Sequence, residues 1–298
     1  ARNNLPGAGT STSALGSGGY VQGGTANVAI TESWNGTNWT EVNDLNTVKI
    51  ALGTSGTNTS ALAFGGETNP GAVTGQTEQW NGTNWTEVAD LSTARNRPVS
   101  AGPGVPASLA AGGASPSYTA ATEEWTLSTL VSAWTTGGSM NTARKALGGA
   151  GLYTASLAFG GGGPNAQTES YDGTSWTEVN DLNTARYYFG ASGYGPSTAT
   201  LAFGGESAIT NNELWNGTNW TETADLNEGR RLLCGAGIST SALAFGGYDG
   251  SNSVNSTELW NGSSWAEQNN LSVARHELGG TGSTNTAAIG AGGYAPSG

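Results

Sequence analysis

The stretch WNGTNWTEVNDLNTVKIALG, Trp34–Gly53, decides the fold because the chain writes much of it again. It returns as WNGTNWTEVADLSTAR from Trp80 and as WNGTNWTETADLNEGR from Trp215. Looser copies complete a series whose opening aromatics are Trp34, Trp80, Trp125, Tyr171, Trp215 and Trp260, spaced 46, 45, 46, 44 and 45 residues apart. A second Trp follows at 39, 85, 134, 176, 220 and 265, so all 11 tryptophans belong to the pattern. Leu45, Leu91, Met140, Leu182, Leu226 and Leu271 close the phrases. A fixed period of this length is the signature of a repeat architecture.

Between phrases runs a second constant element. An Arg, or Lys49 in its place, precedes a glycine-rich run and then a short apolar segment ending in two glycines. Examples are ALAFGG from Ala61, SLAFGG from Ser156 and TLAFGG from Thr200, and the series runs from SALGSGG at Ser13 to AAIGAGG at Ala287. There are seven such elements against six aromatic phrases. Each unit therefore reads as four short strands: one after the Arg, one ending in Gly-Gly, one through Thr-Glu-x-Trp and one through Trp-Thr-Glu-Val. Asn-Gly or Asp-Gly after the first aromatic marks a tight turn between the last two. No segment carries a 3.6-residue apolar period long enough for a helix.

A four-stranded unit of this size cannot bury both its faces alone. Radial stacking of units into a β-propeller solves that and removes most sheet edges. Aromatic rings wedged between sheets would supply the core, and small residues suit strands crowded near an axis. The expectation is one all-β domain over residues 1–298 with seven blade positions, six complete and one partial. The alternative is a six-bladed ring.

The unit resembles the kelch repeat, whose order is Arg, a hydrophobic strand ending in Gly-Gly, a Tyr and then a spaced Trp. Arg144, Gly160-Gly161, Tyr171 and Trp176 follow that order, and in the other units Trp stands in the Tyr place. The resemblance spans essentially the whole chain and implies a kelch-like propeller. Relatives with galactose-oxidase-like chemistry carry copper on Tyr and His; here His276 is the one imidazole. The NGTNW and NGSSW wording is also similar to Trp-rich repeats in bacterial and marine tailed-phage proteins.

Composition narrows the function. Net charge is −12, from 22 acidic and 10 basic residues with no basic cluster, which argues against a nucleic-acid partner. No long apolar run suggests membrane insertion. The lone Cys234 lies in apolar RRLLCGAG and reads as a buried, inert thiol. Most polar groups recur by symmetry, whereas a catalytic site needs a group tuned at one place. The recurrent Arg and the Glu before each aromatic (Glu32, Glu78, Glu123, Glu169, Glu213, Glu258) read as ion pairs between strands or blades, or as caps on loop carbonyls. Glu41, Glu87, Glu178, Glu222 and Glu267 read as a solvated strand face, and Asp44, Asp90, Asp181 and Asp225 as turn holders. His276 has no nucleophile motif beside it, and zinc is improbable with one His and one Cys. No catalytic residue, metal site or cofactor is therefore expected. The Asn-x-Thr sequons, such as those at Asn35 and Asn38, read as by-products of turn chemistry.

Variation is confined to the loops after the Gly-Gly elements, beginning at Tyr20, Glu67, Ala114, Gly161, Glu206 and Tyr248, and to an expanded segment ending at Trp134. Tyr20, Tyr118 and Tyr248 are the candidate contact residues there. The resulting expectation is a non-enzymatic structural or interaction propeller, displayed on a phage virion or an extracellular assembly, meeting proteins or surface glycans through these loops. A multivalent carbohydrate-binding module is the alternative, and a glycosidase or oxidase ranks third.

Overall fold

A computed structural model describes residues 2–21, 26–69, 71–127, 132–163 and 165–295. Parts of the loops after Tyr20, Glu67 and Gly161, and residues 128–131 of the expanded segment, lie outside the described residues.

Six antiparallel four-stranded sheets follow one another in chain order. The first contains Gly7–Thr10, Ser13–Ser17, Thr31–Trp34 and Trp39–Val42, each strand pairing with the next. The same inner-to-outer order recurs in the others, with inner strands Gly53–Thr57, Val99–Gly104, Gly148–Leu152, Gly190–Ala191 and Cys234–Ile238. Adjacent inner strands pack on one another in sequence, so the sheets stand as blades around an axis. The molecule is a six-bladed β-propeller by its complete blades. The partial unit forms a two-stranded sheet, His276–Thr284 with Ala287–Tyr294. Its inner strand packs between those of blades six and one, and Thr281 Oγ1 donates to Gly9 O at 2.8 Å. The extra pair therefore does not hang from a closed six-membered ring; it fills the seam. The one helical element among the described residues is a 3-10 turn at Glu206–Ala208.

Each expected strand forms, for the reasons its residues suggest. The inner strands crowd the axis: a Cβ on Gly104 would lie 2.5 Å from Gly56 Cα of the preceding blade. The Trp-to-Trp connection is a four-residue loop, longer than a two-residue hairpin turn. Asn35 Oδ1 accepts from the N–H of Thr37 and of Asn38, both at 2.9 Å, while Gly36 adopts φ 93°. Asn81, Asp172, Asn216 and Asn261 repeat this side-chain turn.

The core lies between blades. Trp80, Trp125, Tyr171, Trp215 and Trp260 are almost wholly buried, as are the second tryptophans from Trp85 onward. Each ring withdraws roughly 150–250 Å² from water, about 4–6 kcal/mol gross before ordering costs. Position comes from hydrogen bonds. The first Trp ties down the turn between the inner two strands of its own blade, as Trp80 Nε1 does to Asn58 O at 2.8 Å. The second reaches the preceding blade, as Trp85 Nε1 does to Thr31 Oγ1 at 3.0 Å and Trp134 Nε1 to Thr77 Oγ1 at 3.0 Å.

The recurrent Arg and Glu form the joints. Lys49–Glu78, Arg95–Glu123, Arg144–Glu169, Arg186–Glu213 and Arg230–Glu258 are buried pairs at 2.5 to 3.1 Å. Arg144 Nη1 also donates to Gly160 O and Gln167 O, at 3.1 and 2.6 Å. Glu169 accepts further from Asn141 N at 2.6 Å and Asn141 Nδ2 at 2.9 Å, groups belonging to the segment that leaves the preceding blade. The Arg backbone carbonyl faces the other way. Arg95 O accepts from Gly66 N of the preceding blade at 2.8 Å. That approach requires glycine, because a Cβ on Gly65 would lie 2.4 Å from Arg95 O. Desolvation lowers the pKa of each buried cation, and the partner Glu pushes it back up.

The Asp set does something other than hold its own turn. Asp44 and Asp90 accept from the backbone N–H that begins the third strand, Thr31 and Thr77, both at 3.0 Å, and so fasten the far end of the outer strand.

Arg144→Met strands a buried carboxylate and should cost about 3–5 kcal/mol in denaturant unfolding. Lys49→Arg restores the fork found in the other blades and should add about 1 kcal/mol. A loss below 1 kcal/mol for Arg144→Met would contradict the joint.

Candidate functional site at the mouth of the central channel

Every inner strand begins at one end of the ring and every second strand ends there in Gly-Gly, so that face gathers the variable loops. The opposite face carries the Asn-Gly turns and the turns between inner strands. The second residue after each anchor Arg or Lys lies on the first face: Asn4, Ala51, Arg97, Ala146, Tyr188, Leu232 and Glu277. None is glycine, yet all seven adopt left-handed φ of 48 to 56°. Such backbone costs a non-glycine residue about 1 kcal/mol or more. Here peptide-to-peptide bonds around the mouth help to hold it. Ala51 N donates to Asn4 O at 3.1 Å, Arg97 N to Ala51 O at 2.8 Å, Leu232 N to Tyr188 O at 2.7 Å and Glu277 N to Leu232 O at 3.0 Å.

This belt rims a cavity of about 460 Å³ on the axis. The next residue in most units is apolar, and Leu5, Leu52, Leu147, Phe189, Leu233 and Leu278 join the lining. The ring thus offers a greasy collar with one guanidinium (Arg97), one carboxylate (Glu277), one phenol (Tyr188) and one amide (Asn4), each supplied by a different blade. A glycosidase pair needs two carboxylates, and the described lining holds one. No group of three or more metal-ligating side chains occurs among the described residues.

Outside the rim, the first residue after each anchor pairs with the residue that follows Gly-Gly: Asn3 with Tyr20, Asn96 with Ala114, Arg231 with Tyr248 and His276 with Tyr294. Side chains then bridge neighbouring blades. The Arg231 guanidinium lies over the Tyr248 ring at 5.3 Å and meets Glu206 at 2.5 Å, and Lys145 lies over Tyr118 at 5.2 Å. His276 sits between Tyr248 and Tyr294, with centroids at 5.5 and 4.9 Å, and its Nδ1 meets Ser253 Oγ at 2.9 Å. Burial lowers its pKa.

Tyr20, Tyr118 and Tyr248 therefore share the face expected of them, with Tyr118 43% exposed. They do not meet at one point; Tyr248 stands in a line of rings with His276 and Tyr294, and Tyr187 meets Tyr188 with centroids 4.5 Å apart. Tyr187, Tyr188 and Tyr294, and Arg97 and Glu277 on the rim, escaped the sequence reading, which weighed His276 only as a catalytic or zinc-binding group. Aligning the units on their Arg or Lys exposes all but Tyr294, because the dipeptide that follows is different in every unit. Most of the tryptophans make no comparable display, since they lie buried between blades; Trp34 and Trp39 of the first blade are half-buried. Cys234 is buried as expected, and burial pushes its thiol up to about 12.

No protein-family model and no curated protein sequence matches the chain. Among solved structures, one described as "Structure of YjhT" is similar at a TM-score of 0.68 with 13% identity, covering 90% of this chain and 97% of that one. The likeness lies in the fold. No helix among the described residues is long and apolar enough to cross a membrane.

Replacing Ala146 with Gly relieves left-handed strain at the rim. Thermal unfolding should show a gain of about 0.5–1 kcal/mol, the reverse of the usual cost of Ala→Gly. A loss would mean that the belt is not strained at this position.

Proposed function

We propose that the chain is a non-enzymatic interaction propeller whose recognition surface is the channel-mouth face. The observation that carries this reading is the break in symmetry: seven equivalent rim positions hold six different residue types, while the joints beneath them repeat. A rigid ring with variable projecting groups suits contact with a protein or another surface. Charge is sparse and net negative, which disfavours polyanionic partners. The Arg, Gly-Gly and aromatic order supports kinship with kelch repeats. The near-uniform Trp-rich units support display on a virion or another extracellular assembly. A second reading, carbohydrate binding, rests on two ring clusters, Tyr187 with Tyr188 and Tyr248 with His276 and Tyr294, whose rings offer stacking faces.

Arrayed surface glycans and cell-surface proteins provide the test. At least one ligand should bind saturably. Its affinity should fall about ten-fold, or about 1.4 kcal/mol, when Tyr118 and Tyr248 are both changed to Ala. It should be unaffected by Thr37→Ala with Thr83→Ala on the opposite face. Loss confined to the Thr variant, or turnover of a bound substrate, would contradict the proposal.

A further inference from the structure

The two-stranded sheet at the seam leaves a set of groups unpaired, and every other blade shows what such groups bind. Its second strand, Ala287–Tyr294, pairs with His276–Thr284 and with no third strand among the described residues. Most of that strand is partly or fully exposed, whereas the equivalent Ser60–Phe64 is buried over its last four residues.

Two groups on the sixth-blade side wait for a partner. Arg275 donates to Gly292 O at 2.8 Å, as the anchor Arg of each unit does to its own glycine pair, yet it meets no carboxylate among the described residues. Thr257 Oγ1 is buried without a hydrogen-bond partner among the described residues. Its equivalents Thr31, Thr77, Thr122 and Thr168 each accept from the second Trp of the next blade, at 2.9 to 3.0 Å.

The first-blade side is the mirror case. Glu32 holds Arg2 at 2.5 Å, but its side chain is 40% exposed, against 0–1% for the five equivalent glutamates. What it lacks is the Asn N–H and amide that Asn46 gives Glu78, at 2.6 and 2.9 Å. Trp39, which would donate to a Thr hydroxyl of the preceding blade, is only half-buried, whereas its five equivalents are buried.

These groups define one ligand. An incoming strand Thr-Glu-x-Trp along Ala287–Tyr294 would bring the Glu to Arg275 and the Thr hydroxyl to Trp39 Nε1. A returning strand beginning with Trp would bring an indole N–H to Thr257 Oγ1. A following Leu-Asn-Thr would bring the missing N–H donors to Glu32. We propose that the seam receives a β-hairpin of this outer-half repeat chemistry, which completes a seventh blade. Main-chain pairing along the free edge supplies affinity and the waiting side chains supply register.

The probe is a synthetic peptide with the sequence of residues 31–47, TESWNGTNWTEVNDLNT, titrated into the full chain by calorimetry. Saturable one-to-one binding is expected. Arg275→Gln in the protein should weaken it about ten-fold, and so should Glu→Gln at the second residue of the peptide, because each removes one end of a charge-assisted bond. The peptide-side change keeps the test sound if the protein variant misfolds. Absence of saturation up to about 1 mM peptide (a standard-state free energy near −4 kcal/mol) would overturn the proposal. So would binding indifferent to both changes, or a dimer in light scattering that excess peptide does not dissociate, since the edge would then belong to a second copy.

Discussion

The buried cation–glutamate joint is the interaction on which the ring depends. Its Arg reaches both ways: the side chain holds the second and third strands of its own blade, and the backbone carbonyl holds the glycine pair of the blade before. The Glu likewise takes N–H donors from the segment leaving the previous blade. Desolvating two charges is costly, and the geometry offsets it by satisfying nearly every remaining donor and acceptor. The double glycine, the Asn or Ser after each closing Leu or Met and the Thr (Asn212 in blade five) that opens each third strand all serve the same interface. This explains why the units are so alike, for a change at any of these places would leave another buried group without its partner.

With rigidity supplied underneath, the mouth face is free to differ. The peptide belt fixes the backbone whichever side chain it carries, so Ala, Leu, Tyr, Arg, Asn and Glu all occupy the left-handed position. The proposed recognition surface and the stabilising joints thereby fall on different residues of the same units. The half blade is the exception: there the joint is left open, and stability and recognition coincide in Arg275, Thr257 and Glu32.

Much of the fold was legible because repetition multiplies weak signals. One Asn-Gly or one glycine pair says little, but six aromatic-x4-Trp phrases (longer in unit three) and seven glycine pairs in register fix four strands per unit. The ion pairs could be read from recurrence, since a group repeated in every blade belongs to every joint. The candidate site was less legible for the same reason. Attention to what repeats passes over the two residues after each Arg, and no residue type there announces left-handed backbone, a state usually signalled by glycine. The tyrosines chosen from loop composition lie on the channel-mouth face, but Tyr187, Tyr188 and Tyr294 join that face only once the units are stacked. The Asp residues were assigned to local turns because their partner lies thirteen residues back across a hairpin, a register visible only once the strands pair.

The division of labour between joint and mouth is tested most directly by denaturant unfolding of a variant with Asn4, Arg97, Tyr188 and Glu277 all replaced by Ala. Unfolding free energy should stay within about 1 kcal/mol of the unmodified protein, because the belt and the joints beneath it keep their bonds. A loss of about 3 kcal/mol or more, the scale of breaking one buried ion pair, would contradict the account, since the rim would then hold the ring together rather than decorate it.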